Sequence, residues 1–274
     1  MFVYDKNKEL ERSKELTNEL LIKMNELIKI PRLWEILQCG KIKNHNDCKS
    51  RFCPICSNKK SRQQYREMQE MSSYIKERYP TARFYFLTLG SLPVVSSALN
   101  SRIKKINLAV ANLLVSGRCL KITKQIKKNL LGYAKYLEVK YNSVDHVFNV
   151  HVHIIMAMKS TYTKNYINGN KWRVIWQELL QASYLPDVKH QCIDIDDDKI
   201  NNLAKIAGYS TKGLISNVAN FESYDSENID DLIVFYSVIK SKKFITCGGI
   251  FKEARKICKQ KRKNNNDKMM TFVA

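Results

Sequence analysis

The spacing of hydrophobic residues divides the chain into helical and strand-like segments. Apolar side chains recur at helical spacing over residues 8–30 and again over 58–78, and Pro31 ends the first run. Between these two predicted helices, residues 39–57 form a polar, irregular stretch that contains four cysteines. We expect these pieces to form a helical, metal-binding N-terminal segment over residues 1–80.

The next part of the chain has a more informative order of elements. Strands are predicted near residues 84–89, 132–141, 147–157 and 188–195, and helices over 97–115 and 172–180. A short polar turn joins the second and third strands. The order β-α-β-β-α-β is that of an α+β, ferredoxin-like fold with an antiparallel sheet. In that topology the third strand lies in the middle of the sheet, beside the first.

The C-terminal third continues with helical patterns. Helices are predicted over residues 198–215 and 229–240, followed by a short strand near 243–247 and a basic helix from about 249. We therefore expect the main domain to cover residues 81–260. The run of lysine, arginine and asparagine that follows predicts a mobile basic tail over residues 261–274.

The net charge of the chain is unusual, whereas its hydrophobic content is ordinary. Lys and Arg number 47 against 26 Asp and Glu, a formal charge of +21, whereas the hydrophobic content of 44% is ordinary for a globular protein. Such an excess of positive charge favours nucleic acid as the partner. The N-terminus lacks the apolar core of a signal peptide, and no apolar run is long enough to span a membrane. We expect a cytoplasmic protein without a membrane partner.

The four cysteines of the polar stretch have the spacing of a metal site. Cys39, Cys48, Cys53 and Cys56 include a CxxC pair, and four thiolates complete the tetrahedron of a structural Zn²⁺ site. His45 is an alternative ligand in place of Cys39, and unligated thiols remain a second alternative.

Basic side chains surround these cysteines. The four nearest are Arg51, Lys59, Lys60 and Arg62. Because Lys and Arg side chains bind phosphate oxygens, we expect these four to contact DNA.

The predicted strand 147–157 carries a histidine pair. Alternation places His151 and His153 on one face of the strand, where two imidazoles can share one divalent cation. Glu138 lies roughly opposite His151 on the preceding strand, within range of a cross-strand contact. The alternatives are that the histidines are ordinary core residues and that Glu138 is a solvated carboxylate.

A tyrosine further along the chain has two lysines at helical spacing. Lys205 precedes Tyr209 by four positions and Lys212 follows it by three, which places the three on one face if the helix continues past Gly208. Taken alone, Tyr209 is as well explained as a packing residue.

Five motifs along the chain carry a family resemblance. They are Cys48–Cys56, Phe86–Leu89, His151–His153, Ala207–Lys212 and Gly248–Ala254. In this order and spacing they resemble the motifs of replication initiators from small Gram-positive rolling-circle plasmids. These proteins belong to the HUH endonuclease superfamily, in a branch with a zinc-type cysteine signature.

The resemblance implies a metal-dependent, site-specific endonuclease and strand transferase for single-stranded DNA. Mg²⁺ or Mn²⁺ would be bound by His151 and His153, with Glu138 as a third ligand. Tyr209 would attack the scissile phosphate and form a 5′-phosphotyrosine bond, assisted by Lys212 and Lys205. The implied partners are single-stranded and supercoiled origin DNA, a host helicase and the replication machinery.

One position departs from the family pattern. Relatives have a glutamate four residues before the tyrosine, whereas this chain has Lys205, a poor general base at neutral pH. We therefore expect slow hydrolysis of the phosphotyrosine.

Three other functions remain open. A relaxase or transposase would share the chemistry, and a non-catalytic zinc-containing DNA-binding regulator would explain only the charge and the cysteines. RNA binding through aromatic residues of the sheet, such as Phe84 and Phe86, is the third.

Overall fold

A computed structural model describes residues 6–41, 47–115, 121–165, 167–193 and 226–271. It has helices on both faces of one antiparallel sheet. The strands are β1 (Arg83–Gly90), β2 (Leu130–Asn142), β3 (Val147–Met158), β4 (Val188–Ile193) and β5 (Ile245–Gly249), in the spatial order β4-β1-β3-β2-β5.

The described residues form eight α-helices and one short 3₁₀ helix. They are α1 (Lys6–Leu27), α2 (Leu33–Gln38), α3 (Pro54–Arg78), α4 (Ser96–Leu114), α5 (Lys121–Asn129), α6 (Gly169–Leu180), α7 (Ser226–Ile239) and α8 (Ile250–Thr271), with a 3₁₀ helix at Ser160–Asn165. The order β1-α4-β2-β3-α6-β4 confirms the ferredoxin-like prediction, with α5 inserted before β2. The helix predicted over residues 198–215 lies outside the described residues.

One face of the sheet carries the larger core. On β3, the alternating residues Val150, Val152 and Ile154 are fully buried on this face. They belong to one hydrophobic cluster with residues of α1, α4, α6 and α7. Regular burial at every second position explains why this strand was readily predicted.

The opposite face is only partly covered by helices. Helices α3 and α8 pack there, and Phe251 of α8 meets Phe84 of β1 edge to face at 5.9 Å between ring centroids. On β3 this layer buries Ile155 and Ala157 completely, whereas the histidines farther along the same row are only half-buried. The row therefore changes from core to accessible surface at His153.

The N-terminal segment shares its core with the sheet. Leu21 and Met24 of α1 are in the same hydrophobic cluster as the four cysteines and the strand residues of the larger core. The boundary predicted at residue 80 therefore stays a prediction, because the hydrophobic core is continuous across it.

Helix α8 extends into the segment that was expected to be a tail. It continues to Thr271, so the chain is helical over residues 261–271. Arg262 lies 3.2 Å from Glu70 and 3.6 Å from Glu67, both on α3. These ion pairs hold that part of the helix against the body of the protein. Among the described residues, no helix is both long and apolar enough to cross a membrane.

Candidate active site and zinc site

The histidine pair occupies the centre of the sheet. His151 is paired with Gly90 of β1 on one side and with Glu138 of β2 on the other, and His153 is paired with Thr88 of β1. The cross-strand position predicted for Glu138 is therefore confirmed. Each histidine has a neighbouring strand on both sides because β3 is the central strand.

His153 is held in place by three side chains. Its Nε2 lies 3.0 Å from Glu138 Oε2, and its Nδ1 lies 3.1 Å from the Thr88 hydroxyl. The Phe86 ring is nearly parallel to the imidazole, with centroids 5.8 Å apart. Thr88, Phe86 and Glu138 thus fix both the position and the plane of this ring.

The hydrogen-bonding pattern around His153 fits a cation site. When Nδ1–H donates to Thr88, the Nε2 lone pair and the carboxylate oxygen of Glu138 face each other as two acceptors. A proton or a cation bound by both atoms removes that repulsion. In metal-binding histidines the other ring nitrogen usually donates a hydrogen bond that fixes the ring, as Nδ1–H would do here with Thr88. In addition, His151 Nδ1 is buried with no hydrogen-bond partner among the described residues.

Electrostatics keep His151 and Glu138 in the forms that bind metal. Burial lowers the pKa of His151, although Glu138 opposes this effect, so the imidazole is neutral at neutral pH. Burial would raise the pKa of Glu138, but the hydrogen bond and charge of His153, with the charge of Lys140, outweigh it and lower that pKa. The carboxylate is therefore ionised beside neutral His151.

The three side chains are neighbours but do not form a closed set of ligands. Within the part of the chain that is described, the only histidine, cysteine or carboxylate ligand atoms that gather in threes or more within 4.8 Å of one another belong to the four cysteines. The histidine site thus has suitable donors and one buried unpartnered nitrogen, in an arrangement more open than that of the cysteines.

Sequence reasoning missed two supporting positions on β1. Thr88 orients His153, and Gly90 leaves room for His151, since a Cβ at Gly90 would lie 3.0 Å from its Cδ2 and 3.2 Å from its Nε2. Both lie on the histidine face because they alternate with Leu87 and Leu89, which are buried in the larger core. That alternation was visible in the sequence and would have found them.

The tyrosine motif cannot be placed beside the histidines. Lys205, Tyr209 and Lys212 lie outside the described residues, in the stretch that connects β4 to α7. Their roles stay predictions.

The four cysteines form a closed, buried cluster. The sulfurs of Cys39 and Cys48 each lie 3.6 Å from that of Cys56, and all four sulfurs lie within 4.8 Å of one another. A tetrahedron of thiolates around Zn²⁺ at about 2.3 Å places the sulfurs about 3.8 Å apart. The cluster therefore fits a structural Zn²⁺ ion with Cys39 as the fourth ligand. His45, the alternative to Cys39, lies outside the described residues.

Local structure brings these cysteines together. Cys39 follows the last turn of α2, where Gly40 adopts a φ of 85° that favours glycine. Cys53 is the residue before α3, and Pro54 begins that helix, so Cys56 lies in its first turn. Two helix ends and the zinc loop (residues 47–53) thus supply all four ligands.

A buried lysine balances the charge of this cluster. Burial raises the pKa of the Cys48 thiol, and it raises that of Cys56 to about 11, so an ion is needed to bind both as thiolates at neutral pH. Four thiolates leave the site net negative around one Zn²⁺. Lys14 of α1 lies 3.7 Å from the Cys53 sulfur and also donates to the carbonyl of Ile36.

Arg51 contacts the end of α7. Its Nη1 donates to the carbonyls of Ile239 at 3.0 Å and Lys242 at 2.8 Å, and its guanidinium lies over the Phe244 ring at 4.8 Å. Arg51 therefore links the zinc loop to the C-terminal end of α7, where a cation is favourable beside free carbonyls. These contacts leave its predicted contact with DNA a prediction.

The other three basic residues are exposed on α3. Lys59 forms an ion pair with Asp47 at 2.5 Å, whereas Lys60 and Arg62 are exposed and form no ion pair among the described residues. Their contact with DNA stays a prediction.

Comparison with known proteins identifies the family. The sequence matches the replication protein family Rep_1 over residues 39–272. It is 28% identical over 233 residues to "Protein rep" of Streptococcus pneumoniae serotype 2, covering 82% of this chain and 67% of that protein. It is 29% identical over 216 residues to "Protein rep" of Lentilactobacillus hilgardii, covering 76% and 65% of the two chains.

A third relative has the same name in another organism. Over 184 residues the chain is 29% identical to "Protein rep" of Staphylococcus aureus, covering 66% of this chain and 77% of that protein. The aligned segment spans about two thirds of the first two relatives, and no solved structure gives a significant match. Because the family match covers most of its length, the chain belongs to the Rep_1 family of replication proteins, as the order of its motifs predicted.

Proposed function

We propose that this replication protein initiates rolling-circle replication by nicking and rejoining one DNA strand. Tyr209 is the nucleophile: its phenolic oxygen bonds to phosphorus, and the bond from phosphorus to the 3′-oxygen breaks. The phenol loses its proton and the leaving 3′-oxygen takes one up, so the products are a 5′-phosphotyrosine on the protein and a 3′-hydroxyl that primes synthesis. The reverse reaction rejoins the strand.

The residues around the histidines have distinct parts in this proposal. His151, His153 and Glu138 bind a divalent cation, Mg²⁺ or Mn²⁺, which when bound polarises the scissile phosphate and stabilises charge on its oxygens. Thr88 keeps the His153 ring oriented. Because a phenol has a reference pKa of about 10, Lys212 and Lys205 assist by favouring the phenolate or by neutralising phosphate charge.

The observation that carries the proposal is the half-covered face of the sheet. A neutral imidazole and an ionised carboxylate stand side by side on the central strands, where the helical layer of α3 and α8 ends. A purely structural histidine pair would be expected to satisfy its buried nitrogens, whereas His151 Nδ1 has no partner among the described residues.

The test is formation of a covalent adduct with DNA. Purified protein is incubated with single-stranded and supercoiled DNA from its source replicon, with Mn²⁺ in one sample and without added divalent ion in a second. We expect a denaturant-resistant protein–DNA adduct in the first sample only. Tight binding without any adduct would contradict the enzymatic proposal and favour a non-catalytic DNA-binding regulator, while adduct at a transfer origin alone would favour a relaxase.

Lys205 provides a second prediction, on how the adduct ends. We expect the wild-type adduct to persist in water and to disappear when a second origin strand is added. Lys205→Glu supplies a general base and is expected to speed hydrolysis about a hundredfold. The measurement is the decay of purified adduct over time, and rapid water release by the wild-type protein would contradict the hypothesis.

The same proposal implies the compartment in which the protein acts and its partners. The protein acts in the cytoplasm on origin DNA, and a host helicase and the replication machinery act after the nick. The excess of positive charge supports the DNA partner.

A further inference from the structure

A basic cleft opens beside the zinc site, away from the histidines. It has a volume of about 600 Å³ and lies between the zinc loop, the first turns of α3, and the edge formed by β5 and α8. Six of its lining residues are lysine or arginine, and Asp47 is the only carboxylate among them. Cys56 of the cysteine cluster forms part of one wall.

Three of these cations form no ion pair among the described residues. Asp47 is already paired with Lys59, and Arg51 donates to the carbonyls of Ile239 and Lys242. Within the described ranges, Lys49, Lys60 and Lys243 make no ion pair. Burial lowers the pKa of Lys60, and the charges of Arg51 and Arg255 lower it further, although Glu67 opposes them. Like charges thus crowd together in the cleft, and an anion would relieve their repulsion.

A buried amide in the same wall also lacks a partner. Gln64 is only 6% exposed, it lines the cleft, and its Oε1 makes no hydrogen bond within the described part of the chain. Because amide oxygen and nitrogen are interchangeable by a flip, Gln64 can instead direct its N–H groups into the cleft. An unpartnered buried oxygen is uncommon, and in the flipped orientation the N–H at that place could donate to an oxygen of a ligand.

We propose that this cleft binds the phosphodiester backbone of single-stranded DNA. Lys60 and Lys243 neutralise backbone phosphates, and Gln64 donates to a phosphate oxygen. A cleft of about 600 Å³ holds only a short stretch of backbone, which favours a single strand as the occupant. The proposal names a second contact site for the DNA substrate and in that respect rests on the proposed function.

The sheet connects the cleft with the histidines. Ile245 at the cleft is paired with Tyr136, and Tyr136 is paired with His153, so the two sites are two strands apart. At about 4.8 Å between neighbouring strands, that separation is about 10 Å along the sheet. One continuous DNA strand can therefore contact both sites.

The test compares two pairs of lysine substitutions. Lys60→Gln/Lys243→Gln removes two cleft charges, and Lys104→Gln/Lys124→Gln removes two exposed charges from α4 and α5, which do not line the cleft. Binding of a fluorescein-labelled oligothymidylate is measured by anisotropy at several salt concentrations, without added divalent ion. Gln64→Leu is a third variant, which changes no charge.

For the cleft pair we expect an affinity loss of about tenfold or more at low salt. The slope of log affinity against log salt should fall by about 1.4, at about 0.7 for each lost phosphate contact. The control pair should lose about twofold or less. Gln64→Leu should weaken binding with the slope unchanged, and a matched duplex should lose less than the single strand.

Equal losses for both lysine pairs, no loss for the cleft pair, or an equal loss for the duplex would each overturn the cleft proposal. Zinc content and melting temperature establish that the variants fold. Because anisotropy detects binding without cleavage, a selective loss supports the cleft even if the wild-type protein forms no adduct. An adduct formed normally alongside equal binding losses would instead retain the proposed function and reject the cleft.

Discussion

Tyr209→Phe is expected to abolish the covalent protein–DNA adduct while leaving DNA binding intact. The substitution removes only the phenolic oxygen that would bond to phosphorus, so adduct formation should fall at least about 10⁴-fold. His151→Ala and His153→Ala should each reduce it about 10²- to 10³-fold, because each would remove a ligand of the proposed divalent ion. Thr88→Val, which leaves His153 in place without its hydroxyl partner, should cost about ten- to a hundredfold.

The matched controls are Tyr74→Phe and His190→Ala. The Tyr74 hydroxyl donates to Glu253 far from the histidines, and His190 is paired with Leu87, whose side chain is on the opposite face of the sheet. Both variants should form adduct at nearly the wild-type rate. Adduct in Tyr209→Phe would show that another residue is the nucleophile, and loss of DNA binding in that variant would indicate misfolding.

Loss of zinc is expected to destabilise the whole protein, not only the zinc loop. Cys53→Ser removes a fully buried ligand, and the four cysteines belong to the same hydrophobic cluster as the central strand. We expect the free energy of unfolding to fall by more than about 4 kcal/mol, since loss of a metal site is among the largest single-residue effects. For a chain of this size the melting temperature should drop by about 10 °C or more.

Cys192→Ser is the control for this prediction, because Cys192 is an exposed cysteine outside the cluster. It should retain one bound zinc per chain and a nearly wild-type melting temperature, whereas Cys53→Ser should bind less zinc. Zinc content by mass spectrometry under native conditions and the melting curve are the two readouts. Equal melting temperatures for Cys53→Ser and the wild type would contradict a stabilising role for the ion.

The elements that the sequence predicted well are those with regular burial. On β3, every second residue is buried in the larger core, so alternation was sufficient to place the strand, the face of the histidines and the partner position of Glu138. Cysteine spacing predicted the zinc cluster for a similar reason, since the ligands are close in the chain. Local patterns are enough where the structure depends on neighbours in sequence.

Other features depend on contacts between distant parts of the chain. The role of Arg51 is set by carbonyls 188 and 191 residues away, at Ile239 and Lys242, which no local pattern indicates. Helix α2 has only six residues, too few for periodicity to be recognised. The basic cleft combines the zinc loop with β5 and α8, and these come together only in the folded protein.

The link made by Arg51 also couples two distant parts of the chain. Its Nη1 joins the zinc loop to the carbonyls of Ile239 and Lys242, 188 and 191 residues further along. Local opening of the zinc loop is therefore expected to release the C-terminal end of α7 as well, so the amide hydrogens of both segments should exchange with solvent as one cooperative unit.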